Sequence, residues 1–170
     1  MTTVLRGDKE VYDYKPIHEI AFVLDRLRSA HNVGNIFRIA EITRISEVVT
    51  CGYTATPPHH KLDKTARGCE KIVPFRHFET SVEAINQLKS EGWKAVAVET
   101  VENAPLVWDY QIAPKTAFVL GNEALGVSEE ALVLCDDFIR LPVFGFKNSL
   151  NVGNCASVIA YETVRQFSRS

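Results

Sequence analysis

Residues 20–38 read Ile20-Ala21-Phe22-Val23-Leu24-Asp25-Arg26-Leu27-Arg28-Ser29-Ala30-His31-Asn32-Val33-Gly34-Asn35-Ile36-Phe37-Arg38. The unbroken apolar run at its start is short and suits a strand buried on both faces. From Val33 onward Ile36, Phe37, Ile39, Ala40 and Ile42 recur at helical spacing, so strand gives way to helix over a brief polar link. The same alternation continues to the end of the chain. Strands are expected over 47–51, 72–75, 94–99, 116–121 and 137–141, and helices over 63–70, 81–91, from Ser128, and over 149–167. Asn32, Thr80 or Ser81, Ser128 and one of Asn148, Ser149, Asn151 or Asn154 are placed to cap helices, and Gly92 to end one. Strands alternating with helices imply an α/β fold, a parallel sheet flanked by helices on both faces. The loops that follow the strands then pool at one edge, where ligands of such sheets bind.

The bulk properties narrow the class. A chain of 170 residues is read as one domain over 19–170 behind a short lead-in at 1–18. Its apolar fraction of 46% and charged fraction of 24% are those of a globular chain, which excludes disorder. No apolar run approaches the about 18 residues of a membrane span, and the first residues carry no apolar signal core. The expectation is a soluble cytoplasmic protein with no membrane partner. Cys51, Cys69, Cys135 and Cys155 are widely spread without a Cys-x-x-Cys pair, and buried free thiols are expected rather than disulfides. A net charge of −2 opposes indiscriminate nucleic-acid binding but leaves room for a local basic face.

Three segments carry chemistry. In the first, Asn32, Gly34 and Arg38 lie at a helix start, where unpaired N–H groups and a nearby guanidinium suit an anion; a surface Arg on an amphipathic helix is the plainer reading. In the second, Leu120-Gly121-Asn122-Glu123-Ala124-Leu125-Gly126-Val127 follows a buried strand. Its glycines permit close approach or positive φ, and Glu123 has no evident structural purpose. The third runs from Leu141-Pro142 through the apolar loop of Val143, Phe144 and Phe146 to Ser149-Leu150-Asn151-Val152. It either walls an aromatic ligand or packs on the core. No Gly-x-Gly-x-x-Gly fingerprint, phosphate loop or Gly-x-Ser-x-Gly elbow occurs, and His59-His60 has no partner at metal-ligand spacing, so no metal is expected.

In this order and spacing the three segments resemble the signature of SpoU-type RNA ribose 2′-O-methyltransferases of the SPOUT superfamily, from about Ile20 to Gln166. The resemblance implies a C-terminal deep trefoil knot, which the alternation of strands and helices would not suggest. It also implies S-adenosylmethionine as cofactor, an RNA substrate (tRNA or rRNA) and a homodimer with sites near the interface. By the same resemblance Gly121, Leu141 and Leu150 offer backbone to the cofactor, with Thr100 in the same wall. Asn32, Arg38, Glu123, Ser149 and Asn151 match polar positions linked to catalysis and substrate positioning. Family proposals let the Arg activate the hydroxyl. A guanidinium does not ordinarily give up its proton, so Arg38 is better read as holding a phosphate and stabilising a developing alkoxide.

RNA needs a grip, and Lys61, Lys64 and Arg67, with Lys71 and Arg76, form a positive surplus to which Arg6, Lys9, Arg26 and Arg28 can add; solvated surface charge is the alternative. The chain is read as lacking the separate RNA-recognition domain and long basic extension of larger family members. Two other functions stay open: methylation of a base nitrogen on the same fold, and a catalytically silent RNA-binding knot protein.

Overall fold

The computed structural model describes residues 13–168. Six strands form one sheet: β1 (His18–Asp25), β2 (Ile45–Cys51), β3 (Phe75–Phe78), β4 (Lys94–Val98), β5 (Lys115–Leu120) and β6 (Asp137–Ile139). Their order is β3-β2-β1-β5-β4-β6, and every pair is parallel. The chain steps outward from β1 to β3, crosses to β4 on the other side, and then inserts β5 between β1 and β4. The direction of winding reverses at the β1–β5 pair, and a crevice opens at such a reversal.

Alternate residues of β1 feed two cores. Ile20, Phe22 and Leu24 meet α1 (Ala30–Thr43) and α5 (Val152–Phe167), with Leu62 and Ala66 at α2 (Asp63–Ala66). Ala21 and Val23 meet α3 (Ser81–Ser90) and α4 (Glu129–Leu132) on the other face. The expected two-sided parallel sheet is present. Of the lead-in only residues 13–18 are described: Tyr14 packs against the first core and His18 opens β1.

Several boundaries differ from the sequence reading. The first helix starts at Ala30 and is capped by Ser29, whose Oγ accepts from Asn32 N at 3.3 Å; Asn32 is not the cap. The expected helix over 63–70 breaks into α2 and a 3-10 turn at Cys69–Lys71, because Arg67 and Gly68 adopt positive φ. The third strand begins at Phe75 rather than Ile72. Thr80 closes a capping box with Glu83, as the sequence suggests. Ser128 precedes α4 without a side-chain cap, and its N–H donates to buried Asp25 at 2.7 Å. The last helix begins at Val152, so Ser149 and Leu150 belong to the preceding loop. That loop does not pack on the core: Phe144 is 96% and Phe146 100% exposed. Gly34 serves helix packing rather than anion approach, since a Cβ there would lie 1.9 Å from Thr65 Oγ1 and 2.9 Å from Ala66 N. No described helix is long and apolar enough to cross a membrane.

Candidate active site

A cleft of about 760 Å³ opens at the carboxyl ends of β4, β5 and β6, beside the β1–β5 reversal. Gly121, Thr100, Leu141, Leu150, Glu123, Ser149 and Asn151 all line it. Its floor is the loop after β5, pinched shut by the reciprocal bonds Asn122 N to Gly126 O at 3.0 Å and Gly126 N to Asn122 O at 2.9 Å. Both glycines are required by that pinch. A Cβ on Gly121 would lie 2.2 Å from the backbone of Gly126 and Val127, and Gly126 has φ +72 beside the Glu99 carboxylate.

One chain of hydrogen bonds joins the three motifs. The Glu123 carboxylate accepts from Arg28 N at 2.8 Å, Ser29 N at 3.0 Å and Asn32 Nδ2 at 2.9 Å. Asn32, buried among these groups, turns its Oδ1 to Asn151 Nδ2 at 3.1 Å. Asn151 Oδ1 in turn accepts from Gly153 N at 2.9 Å and Asn154 N at 3.3 Å, capping α5. The excess of small polar residues before α5 is therefore resolved: Asn151 caps the helix and also fixes the orientation of Asn32.

Glu123 does have a structural purpose, which the sequence reading missed. Desolvation opposes its ionisation, yet the bonds from Arg28, Asn32 and Ser29 together outweigh this and hold its carboxyl below the ordinary range. It is thus an anion at neutral pH and a weak proton acceptor, suited to positioning rather than general-base work. A carboxylate depressed in the folded state stabilises that state above the unfolded pKa, and the benefit is lost as pH falls through the folded value. Glu123→Gln should accordingly flatten the acid limb of a plot of urea midpoint against pH. An acid limb identical to that of the wild type would mean the Glu123 bonds add nothing to folding.

Other site residues emerge only from the structure. Glu99, directly after β4, lines the cleft and accepts from Val127 N at 3.0 Å and Thr100 N at 2.9 Å. Its position after a strand end parallels that of Glu123, the one signal that could have found it. With Glu99, Glu123 and Glu129 in the wall and no Lys or Arg among the lining residues, the cleft favours a cationic ligand. Val98, Leu120, Leu141, Val143, Leu150 and Val152 give it an apolar side. Cys155 also lines it, but burial pushes its thiol up to about 12, so it is no nucleophile at neutral pH.

The remaining expected residues lie elsewhere. Arg38 is exposed on α1 and does not line the cleft; six residues beyond Asn32, it stands about 9 Å along the helix axis. Lys61, Lys64, Arg67 and Lys71 are exposed around α2, as a basic face requires. Arg76 does not belong to that face, because it is held by Glu47 at 2.7 Å and Glu91 at 2.8 Å. Arg26 is drawn to buried Asp25 at 3.0 Å, while Arg6 and Lys9 lie outside the described residues. All four cysteines are free; Cys51 alone is fully buried, the others half-buried. Among the described residues no cluster fit for a metal ion occurs.

A parallel α/β sheet with a glycine-pinched acidic cleft at its carboxyl edge places this protein in the open-sheet class, whose ligands bind at that edge. The chain belongs to the SpoU rRNA methylase family, whose model matches residues 19–161. It is 32% identical over 148 residues to a Thermus thermophilus protein named tRNA (guanosine(18)-2′-O)-methyltransferase, covering 87% of this chain and 75% of that relative. Its fold matches the TrmH/SpoU tRNA modifying enzyme of A. aeolicus at a TM-score of 0.82, with 23% identity, over 92% of this chain and 79% of the other. The SpoU methyltransferase AviRb of Streptomyces viridochromogenes, solved in complex with AdoMet, also matches at 0.82, with 24% identity over 91% of this chain and 60% of that one.

Proposed function

We propose that this protein transfers a methyl group from S-adenosylmethionine to a ribose 2′-hydroxyl of RNA. The observation that carries the reading is the hydrogen-bonded chain Glu123–Asn32–Asn151, which ties the three family motifs together at the rim of an acidic cleft. The residues present fit the cofactor. The carboxylates suit its cationic groups, the apolar wall suits an adenine ring, and the glycine pinch leaves backbone of Gly121 exposed to it, with Leu141, Leu150 and Thr100 alongside.

When bound, the cofactor supplies a sulfonium-activated methyl group, so no metal is needed. The protein's part is alignment and charge. Holding donor and acceptor in line contributes up to roughly 7–11 kcal/mol in ideal cases. Asn32, buried and locked between Glu123 and Asn151, holds those two cleft-lining residues in register, and exposed Ser149 adds a hydroxyl to the lining. Arg38 stabilises the developing alkoxide and the adjoining phosphate, and the hydroxyl proton passes to a phosphate oxygen or water. Because Arg38 stands outside the cleft of its own chain, this role fits a homodimer in which the site lies near the join. The resemblance brings the trefoil threading of the C-terminal segment into the same reading, and four free cysteines suit a cytoplasmic location.

Titration calorimetry with S-adenosylmethionine, followed by methylation of bulk tRNA and rRNA and mass spectrometry of the digested products, tests the proposal. The tRNA arm comes first because the Thermus relative is named for a tRNA. A methyl found on a base nitrogen would establish the alternative chemistry, and no cofactor binding with or without RNA would establish a silent RNA-binding module. Neutralising Lys61, Lys64 and Arg67 together should weaken RNA binding and lower the slope of log Kd against log salt by about two, at about 0.7 per phosphate contact. An unchanged slope would reduce these residues to solvated surface charge.

A further inference from the structure

Tyr53, in the loop after β2, is a large aromatic side chain that is 62% exposed and yet tightly held. Its hydroxyl accepts a hydrogen bond from Asn122 Nδ2 at 2.9 Å. The same amide nitrogen donates to the Arg26 carbonyl at 2.7 Å, while Asn122 Oδ1 takes the N–H groups of Ala124 and Leu125 at 2.9 and 3.1 Å. Asn122 is 4% exposed and lines the cleft, so the ring of Tyr53 is tethered to the cleft floor across 69 residues of sequence.

Arg26 completes the arrangement. It takes φ +55, a conformation uncommon for a side chain of this size. Its aliphatic stem runs beside Gly52, where a Cβ would lie 3.1 Å from Arg26 Cγ. Its Nε donates to Asp25 at 3.0 Å, which aims the guanidinium and leaves its two terminal nitrogens without a hydrogen bond among the described residues. A rigid exposed ring beside an aimed guanidinium matches how proteins hold single-stranded RNA: an unstacked base lies on the aromatic face and the cation takes the neighbouring phosphate.

We propose that Tyr53 is a stacking platform for an unpaired nucleobase of the RNA substrate, with the Arg26 fork on an adjoining phosphate. The inference rests on the RNA-methyltransferase reading for the identity of the ligand. An unanchored surface Tyr would serve less well, since stacking would then have to order the side chain as well as the base.

The experiment measures RNA binding and methylation by Tyr53→Ala and Tyr53→Phe, using bulk tRNA for turnover. Binding uses a tRNA-derived stem-loop carrying 2-aminopurine in its loop. Tyr53→Ala should raise the RNA Kd about 5- to 100-fold and lose the quenching of 2-aminopurine. Its cofactor Kd and melting temperature should match the wild type. Tyr53→Phe keeps the ring but loses the tether to Asn122, and its RNA Kd should fall between those of the wild type and Tyr53→Ala. Two results would overturn the proposal: RNA affinity and quenching unaltered in Tyr53→Ala, or a Phe variant as defective as the Ala variant. Failure of the wild type to bind S-adenosylmethionine would count against the functional reading alone, because the variant-to-wild-type ratios of RNA affinity require no turnover.

Discussion

Gly121→Ala should severely weaken cofactor binding. The new methyl group would sit 2.2 Å from Gly126 C and Val127 N and 2.7 Å from Gly126 O, all backbone atoms that cannot swing aside as a side chain can. The pinch between Asn122 and Gly126 must open, and with it go the floor of the cleft and the Asn122 bonds to Ala124, Leu125, Arg26 and Tyr53. Overpacking of this kind costs about 1–3 kcal/mol when the surroundings can adjust. Here the strain falls on backbone at the proposed cofactor surface, and the expected loss in S-adenosylmethionine affinity exceeds about 100-fold. Calorimetry measures the affinity and urea denaturation the stability. A variant that binds within threefold of wild type would show that the loop opens without harm, and the cleft would then not be the cofactor site.

Arg38→Ala should separate catalysis from binding in the opposite sense. Its side chain does not line the cleft, so cofactor affinity should stay at the wild-type value. If Arg38 stabilises the developing alkoxide, single-turnover methyl transfer should fall about 10²–10³-fold, the loss seen when one such donor is removed. Arg38→Lys keeps the charge but not the planar fork and should recover only part of that loss. Full activity in the lysine variant would leave no place for a bidentate contact. A wild-type rate in the alanine variant would remove Arg38 from the chemistry altogether.

The strands buried on both faces were readable because their apolar runs are continuous: β1, β2, β4 and β5 lie within a few residues of their expected bounds. β3 starts later than its apolar signal suggests, because it is an edge strand with half-exposed residues, and Ile72 and Val73 in the turn before it are the more apolar pair. The insertion of β5 between β1 and β4 has no local signature, since strand order is settled by packing across the whole chain. The same divide runs through the site. Motif spacing singles out several residues that line the cleft, but the role of Glu123 is not legible there, because two of its partners are backbone N–H groups 94 and 95 residues away. Gly34 resembled a ligand-approach glycine because its true neighbour, Thr65, is brought in by tertiary folding. Tyr53 carried no signal at all: an exposed aromatic in a loop is common, and what distinguishes it is the buried amide behind it.

The bond from Asn151 to Asn32 spans 119 residues, and α5 packs directly on α1. During synthesis the first motif leaves the ribosome long before the third, and Asn32 has no partner on that side until the segment through Asn151 has emerged. Domains fold as units, so the arrangement waits for the last elements of the sheet and its helices. The bonded chain Glu123–Asn32–Asn151 is therefore among the last features of this protein to come into being, and a chain stalled before Leu141 would carry two of the three motifs with no Asn151 to hold Asn32 in place.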